Sequence, residues 1–529
     1  MNLTEITNLG DLFQNSLNSE PTKIALIDGE TGVKVSFQEL DAKISKIRSV
    51  LNDEGVRKGD RIALFFPNEL EFLYVLFATI RSGAVPVLIN VELSPELCTY
   101  IVEDSGASII ISSSQKNVSD RAFDSAHLNQ IKTLIFTDLL RIKSNVSIQN
   151  TDIYDLTKLM KKSKPIKGSV PVSPGDPALQ PYTSGSTGKP KGVILSHGGS
   201  LWNVKTICEF HELSHLDRAI VSAPMYHSNA LNGAIKPMLL VGGSTVILNG
   251  FNSSKMIESI ENFKVTYLRG VPAMFKLIVE DKKSLSSHDI SSIKWAVSGS
   301  SSLPESLITS FEEISGASMG VAYGLTEGGP VVTLSPRHGD KRIGSSGIPL
   351  PGVKTIIIDP QTKKQLPANS IGELLVSSPG LGNYHNLPNQ EKTSFETLRG
   401  HRFLHTKDLA YVDPNGFHYI VGRIDDMMIV GGENVYPAEV ESLLLKHVKI
   451  KDVCVVSLPH SIKGEAPVAL IVSDPVTEEE IKQFALLNGP AYSHPRRIIS
   501  IPKMPLSGTG KIDRTKARKI ALDHFPDPL

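Results

Sequence analysis

The sequence is poor in the features that announce special classes of protein. Three cysteines among 529 residues, Cys98, Cys208 and Cys454, are odd in number and far apart. That excludes a disulfide framework and a thiolate metal site, and it points to a reducing compartment. Each reads as a small core residue rather than a nucleophile. An excess of charge is missing too: 55 Lys and Arg balance 55 Asp and Glu, so nothing here is built to hold a polyanion such as nucleic acid. The short basic clusters Lys161–Lys164 and Lys446–Lys449 lack interleaved aromatics and read as solvated surface. The most apolar run, Phe72–Ile80, stops at Arg81 and Ser82, too short for a transmembrane span and right for a buried helix. The opening MNLTEITNLG has no basic region followed by an apolar stretch, so no signal peptide is expected, and the closing FPDPL is no targeting address. A soluble cytoplasmic protein follows.

What is present is an alternation of elements. Apolar, β-branched runs (Arg61–Phe66, Ser108–Ile111, Thr245–Leu248) alternate with helical patterns (Ser36–Asp53, Glu69–Ser82). That predicts an α/β fold of helix-covered, largely parallel sheets. The length asks for two or more domains. A Pro-, Ser- and Lys-rich stretch from Lys161 to Pro181 reads as a loop or linker. After Phe403 the pattern changes to short strands and turns such as Asp413-Pro-Asn-Gly, and a compact α+β segment runs from about Asp426. The boundary is expected near Arg423–Asp425, dividing a large domain of residues 1–424 from a small one of 425–529.

The strongest motif is Tyr182-Thr-Ser-Gly-Ser-Thr-Gly-Lys-Pro-Lys-Gly192. Its glycines let backbone approach a ligand, its hydroxyls and N–H groups donate, and its lysines carry positive charge, which suits a polyphosphate. It is not a Walker A loop, because the spacing is Gly185-x-x-Gly188-Lys189 and Pro190 follows. A plain surface loop is the competing reading. Four further segments accompany it in order. Ala322-Tyr-Gly-Leu-Thr-Glu327 sets a carboxylate after a turn, and His405-Thr-Lys-Asp408 sets another. Gly422-Arg423-Ile-Asp425-Asp426 leads into Gly431-Gly-Glu-Asn-Val-Tyr-Pro437, and Pro505-Leu-Ser-Gly-Thr-Gly-Lys511 presents a lysine on a second Gly-rich loop.

Jointly these segments resemble the adenylate-forming superfamily of acyl- and aryl-CoA synthetases, luciferases and adenylation domains, over about residues 10–520. The resemblance implies an ATP-dependent, AMP-forming acid:CoA ligase with a small mobile C-terminal domain. It makes Thr183, Ser184, Gly185, Ser186, Thr187, Gly188 and Lys189 a phosphate loop over ATP. Ser300, Tyr323 and Gly324 would border adenine, Thr326 would lie near the α-phosphate, and Glu327 would bind Mg²⁺. Asp408 and Arg423 would hold the ribose, Asp425 would be the hinge, and Lys511 the catalytic lysine. Gly431, Gly432 and Glu433 would face the pantetheine of coenzyme A. Two departures stand out: Lys407 occupies a position that is usually Gly and would be strained if φ > 0 there, and Gly328 follows Glu327. The span from Thr477 to Lys511 looks slightly short.

The acid is less legible. Pro224-Met-Tyr-His227-Ser-Asn-Ala230 resembles the acyl-pocket region, and it lacks the Asp that would pair with an amino-acid ammonium. His227 either gates the pocket or tunnel or is a packed core histidine. Arg269 could pair with a second carboxylate or a polar tail, but a solvent-facing side chain is the preferred reading. Gly432–Glu441 looks most like fatty-acid and aryl-acid CoA ligases, and an aliphatic acid is favoured over an aromatic one. Oligomeric state is not legible, and a homodimer is left open. Two alternatives accompany the ligase: an enzyme loading a carrier protein, and a non-catalytic nucleotide-binding homologue.

Overall fold

The computed structural model describes residues 6–142, 147–183, 189–299, 303–506 and 512–529. They divide into two compact units. The first holds residues up to 341, 347–354 and 376–404, and the second holds 342–346, 355–375 and 405–529.

The helices of the first unit form where the sequence places caps and apolar stripes. In Phe37–Asp53 the Ser36 hydroxyl accepts from the Glu39 N–H (3.3 Å), and the Glu39 carboxylate accepts from the Ser36 N–H (2.8 Å). This reciprocal cap satisfies two donors that a helix start otherwise strands. Helix Leu70–Arg81 is apolar nearly all round and buried at every position except Glu71, as a core helix should be. Its terminal Arg81 is wholly buried, paired with Asp11 (3.0 Å) and Asp41 (2.5 Å). Two carboxylates compensate a charge that would be costly alone.

Two sheets make up most of this unit. In one, the strands Ser318–Tyr323, Trp295–Gly299, Tyr267–Gly270, Arg218–Val221, Ser244–Ile247 and Ile24–Asp28 lie side by side and parallel, with antiparallel strands at both ends. In the other, Pro177–Thr183, Val85–Leu88, Arg61–Phe65, Ile109–Ser112, Thr133–Phe136 and Asp152–Asp155 are parallel. Central strands such as Val85–Leu88 and Ile109–Ser112 are buried at every residue, which explains their unbroken apolar runs. The expected α/β class is borne out. The loop expected from Lys161 to Pro181 is shorter than that, because Ala178, Leu179 and Gln180 are buried in a strand that begins at Pro177. Cys98, Cys208 and Cys454 are all buried and free.

In the second unit the strands run longer than the sequence pattern suggests. Ile450–His460 and Gly464–Ser473 form a long antiparallel hairpin, with Met428–Val430 and Arg497–Ser500 beside it. Helices Pro437–Leu444, Glu478–Asn488 and Arg514–His524 pack with this sheet. The turn at Asp413 forms as read: its carboxylate accepts from the N–H groups of Asn415 and Phe417, each at 2.9 Å. Among the described residues no helix is long and apolar enough to cross a membrane.

Candidate active site

In open parallel sheets, ligands bind beyond the carboxyl ends of the strands. There, three neighbouring strands of the first unit end at Gly270, Gly299 and Tyr323, in register through Gly270–Ser298 and Gly299–Ala322. A cavity of about 30 Å³ opens at these ends, lined by Ser228, Asn229, Arg269, Gly299, Ala322, Tyr323, Gly324, Pro330 and Val331. Gly324 is required by close approach, since a Cβ there would stand 2.0 Å from the Pro330 carbonyl oxygen. The buried Ser298 hydroxyl has no hydrogen-bond partner among the described residues. His227 is half-buried and caps the short helix Ser228–Ala230, its Nδ1 accepting from the Asn229 N–H at 3.4 Å.

Arg269 corrects the solvent-facing expectation. Its exposure is 6%, with Nε donating to Asn229 Oδ1 (3.0 Å) and a terminal nitrogen to the Tyr267 hydroxyl (3.3 Å). The residue is next to last in a central parallel strand, paired on both sides, so its side chain is covered by neighbouring elements. Arginine's general preference for the surface gives no hint of that placement.

Just past the cavity, Thr326–Gly328 form a 3-10 turn that carries Glu327. Two segments converge on this residue, one through Thr183 and the other through Gly382 and Tyr384. Thr183, at the end of its strand, donates from its hydroxyl to Glu327 Oε1 at 3.0 Å. The Tyr384 hydroxyl lies 3.4 Å from the same oxygen, and the Gly382 N–H donates to the Glu327 carbonyl at 2.9 Å. Burial, and then the nearby Glu327 charge, push the Tyr384 phenol's pKa well up, so it stays a neutral donor. Among the described residues no lysine or arginine pairs with Glu327, and no cluster of three or more His, Cys, Asp or Glu could cage a metal. A half-buried carboxylate fixed by hydroxyls fits a hard cation that takes its other ligands from phosphate and water. Gly328 is explained by space: a Cβ there would meet Leu325 Cδ2 at 2.7 Å.

The second unit gathers its own set. Strand His401–Val412 pairs antiparallel with His418–Arg423, opposing Asp408 to Arg423. The Arg423 guanidinium lies 3.2 Å from Asp408 Oδ1 and 3.9 Å from Asp425, and Lys407 Nζ is also 3.9 Å from Asp425. Asp408 is 8% exposed, its N–H bound by Thr406 Oγ1 at 3.0 Å. Lys407 has φ +59°, so the strain anticipated from its sequence position is present. Lys407→Gly is therefore expected to stabilise this unit by about 0.5–1 kcal/mol, the left-handed penalty exceeding glycine's greater freedom when unfolded. Urea titration of both proteins checks this, and a loss of stability would mean that the Asp425 contact outweighs the strain. Gly431 and Gly432 (φ +62° and +92°) are the two central residues of an exposed hairpin that leads into Glu433. Positive φ at both positions marks the tight turn whose twist suits flanking strands.

Ser184, Gly185, Ser186, Thr187, Gly188, Ser300 and Lys511 lie outside the described residues. Of the remaining phosphate-loop candidates, Thr183 reaches Glu327, whereas the Lys189 ammonium stands 4.9 Å above the Tyr100 ring. Sequence reasoning missed Tyr384, Asn229 and Tyr267. Tyr384 is brought in by strand pairing with a segment far away in the chain, Asn229 by the short helix Ser228–Ala230, and Tyr267 stands two residues before Arg269 on the same strand.

The AMP-binding enzyme family matches residues 13–383, and the AMP-binding enzyme C-terminal domain matches residues 439–511. A feruloyl-CoA synthase of Amycolatopsis sp is 30% identical over 92% of this chain and 94% of its own length. ATP-bound MatB from Rhodopseudomonas palustris superposes with a TM-score of 0.87 at 25% identity, covering 98% of this chain and 99% of that one. An anthranilate CoA ligase in complex with anthranoyl-AMP gives a TM-score of 0.87 at 26% identity, with 97% of each chain covered. With Glu327 beside a cavity at the strand ends and a match over most of its length, this chain belongs to the AMP-binding enzyme family.

Proposed function

We propose that the protein is an AMP-forming carboxylic acid:CoA ligase that works in two half-reactions. In the first, the acid's carboxylate attacks the α-phosphorus of ATP, pyrophosphate leaves, and an acyl-adenylate forms. In the second, the thiolate of coenzyme A attacks the acyl carbon and AMP leaves. The observation that carries this reading is the convergence of Thr183 and Tyr384 on a carboxylate, Glu327, one turn beyond a cavity at the ends of parallel strands.

The first half-reaction brings anions together, so catalysis is mainly positioning and neutralisation. Glu327 is the residue that would hold Mg²⁺, which when bound neutralises phosphate charge. The loop from Thr183 to Lys189 cradles the phosphates with N–H and hydroxyl donors, and Thr326 faces the α-phosphate. Ser300, Tyr323 and Gly324 flank the adenine, and Asp408 accepts from the ribose hydroxyls while Arg423 orients it. Lys511 would bring its positive charge to the reacting carboxylate and the phosphate. For the second half-reaction the chain turns at Asp425, so that Lys511 withdraws and Gly431, Gly432 and Glu433 face the pantetheine, with His227 at the pocket mouth. Three separated free cysteines support a cytoplasmic setting.

The acid is left to experiment. The feruloyl-CoA and anthranilate relatives lend no support to aliphatic over aromatic acids, so both belong in the panel. AMP and pyrophosphate release would be measured with short, long-chain, dicarboxylic and aromatic acids, with and without CoA. The expected result is turnover needing both acid and CoA, reduced on the order of 100-fold in Lys511→Ala. Pyrophosphate release indifferent to CoA would point to a carrier-protein acceptor. ATP binding without turnover of any acid would overturn the ligase reading.

A further inference from the structure

Arg269 is a buried cation in the wall of the cavity at the strand ends, and its partners among the described residues are neutral. Nε donates to Asn229 Oδ1 at 3.0 Å and a terminal nitrogen to the Tyr267 hydroxyl at 3.3 Å. Asn229 is itself oriented, because its amide donates to the Gly270 carbonyl (3.2 Å) and so turns its oxygen toward the guanidinium. Room for the arginine is made by Gly233, where a Cβ would lie 2.2 Å from Arg269 Nε. The side chain is thus seated by its surroundings rather than left where chance put it. No carboxylate pairs with it among the described residues.

The surroundings add positive charge. Arg337 donates to the His211 carbonyl at 2.8 Å. Burial first, and then the charges of Arg269 and Arg337, keep His211 neutral and push its pKa down to about 3. Burial pushes the Tyr267 phenol up, and the same two arginines are the charges opposing it. A guanidinium taken out of water without an anion is costly, and its planar fork matches a carboxylate. The cavity beside it holds only about 30 Å³. Arg269 and Gly299 line the same opening, so the guanidinium lies beside the strand ends where the reacting carboxylate must sit.

We propose that the enzyme selects a short carboxylic acid carrying a second anionic group, a second carboxylate being the simplest, and that Arg269 pairs with that group. This rests on the ligase reading above and names its substrate class.

The test compares malonate, succinate and glutarate with their half-amides, with butyrate and with 4-coumarate, in the wild type, Arg269→Met and Arg269→Lys. CoA-dependent AMP release gives kcat/KM, and thermal melting with each acid plus a non-hydrolysable ATP analogue reports binding without turnover. The wild type should prefer a dicarboxylate over its half-amide by at least about 30-fold, a preference lost in Arg269→Met and partly kept in Arg269→Lys. Melting of the ligand-free variants shows whether each is folded. Turnover of butyrate or 4-coumarate with no preference for the second charge would overturn this proposal and leave the ligase standing. A variant that raises only the KM for ATP would overturn it as well, assigning Arg269 to the nucleotide. Arg269-dependent protection by a dicarboxylate with no turnover of any acid would keep the anion pocket and remove the ligase. Neither protection nor turnover would remove both.

Discussion

Glu327→Gln is expected to lower kcat for adenylate formation by about 100- to 1,000-fold, the range seen when one preorganised electrostatic group is lost from an active site. The substitution keeps size and shape. The amide oxygen of glutamine still accepts from the Thr183 hydroxyl, now 3.0 Å from Glu327 Oε1, and from Tyr384 at 3.4 Å. Gly382 donates to the backbone carbonyl of residue 327 and is indifferent to the change. Only the negative charge is removed, so the loss reports charge and not geometry. Single-turnover pyrophosphate release at rising Mg²⁺ is the measurement. The variant should need more Mg²⁺, while the KM for the acid should stay close to the wild-type value. A kcat within about threefold of wild type would mean that Glu327 does not carry the metal.

Arg514→Ala should loosen the second unit by about 2–3 kcal/mol. Arg514 lies in the first turn of helix Arg514–His524 and grips Glu441 with two parallel hydrogen bonds of 2.7 and 2.8 Å. It also donates to the Val455 carbonyl at 2.8 Å, and Asp426 is 3.8 Å away. Burial alone would lower the guanidinium's pKa, but the Glu441 carboxylate raises it beyond the ordinary value, while burial pushes Glu441 itself up against the opposing pull of Arg514. Removing the arginine leaves Glu441, whose side chain is 14% exposed, with the Val455 N–H (2.7 Å) as a remaining donor. Breaking a fully buried pair costs 3–5 kcal/mol, and the 32% exposure of Arg514 reduces that figure. Both tryptophans, Trp202 and Trp295, belong to the first unit, so their fluorescence would miss the change. Amide hydrogen exchange in the strands Ile450–His460 and Gly464–Ser473 should quicken instead. The double variant Arg514→Met with Glu441→Met should recover most of the loss, because no uncompensated charge is left. Unchanged exchange in Arg514→Ala would show that the ion pair contributes nothing net.

Much of the candidate site was legible because its chemistry is carried by short contiguous motifs. A Gly-rich loop ending in lysines and a carboxylate after a Tyr-Gly turn each declare themselves through residue type and spacing, whereas Asp408 and Arg423 face each other only once their strands pair. Lys407 shows how far such reading can go: a lysine where glycine is usual raised the question of positive φ, and the backbone has φ +59°. Gly431-Gly432 likewise marks a tight turn by composition alone.

Other features had no local signal. Arg269 was read as solvent-facing because arginine mostly is, and its burial depends on Asn229 and Gly233 reaching it from other elements, with Tyr267 beside it on its own strand. Tyr384 reaches Glu327 because its strand pairs with Lys191–Ser196, a partner nearly two hundred residues earlier. The lengths of strands such as His401–Val412 were underestimated, since a strand interrupted by polar residues looks like several short ones until its partner is known.

By itself, then, the sequence determined the α/β class, the order of the motifs and the residue types that can meet a polyphosphate, because periodicity and backbone freedom are local properties. Which side chains share a cavity, which charges are buried and how each is compensated were decided only by the tertiary structure. Strand register and helix packing bring together residues that no spacing rule connects, and the energy of a charge depends on what surrounds it in space.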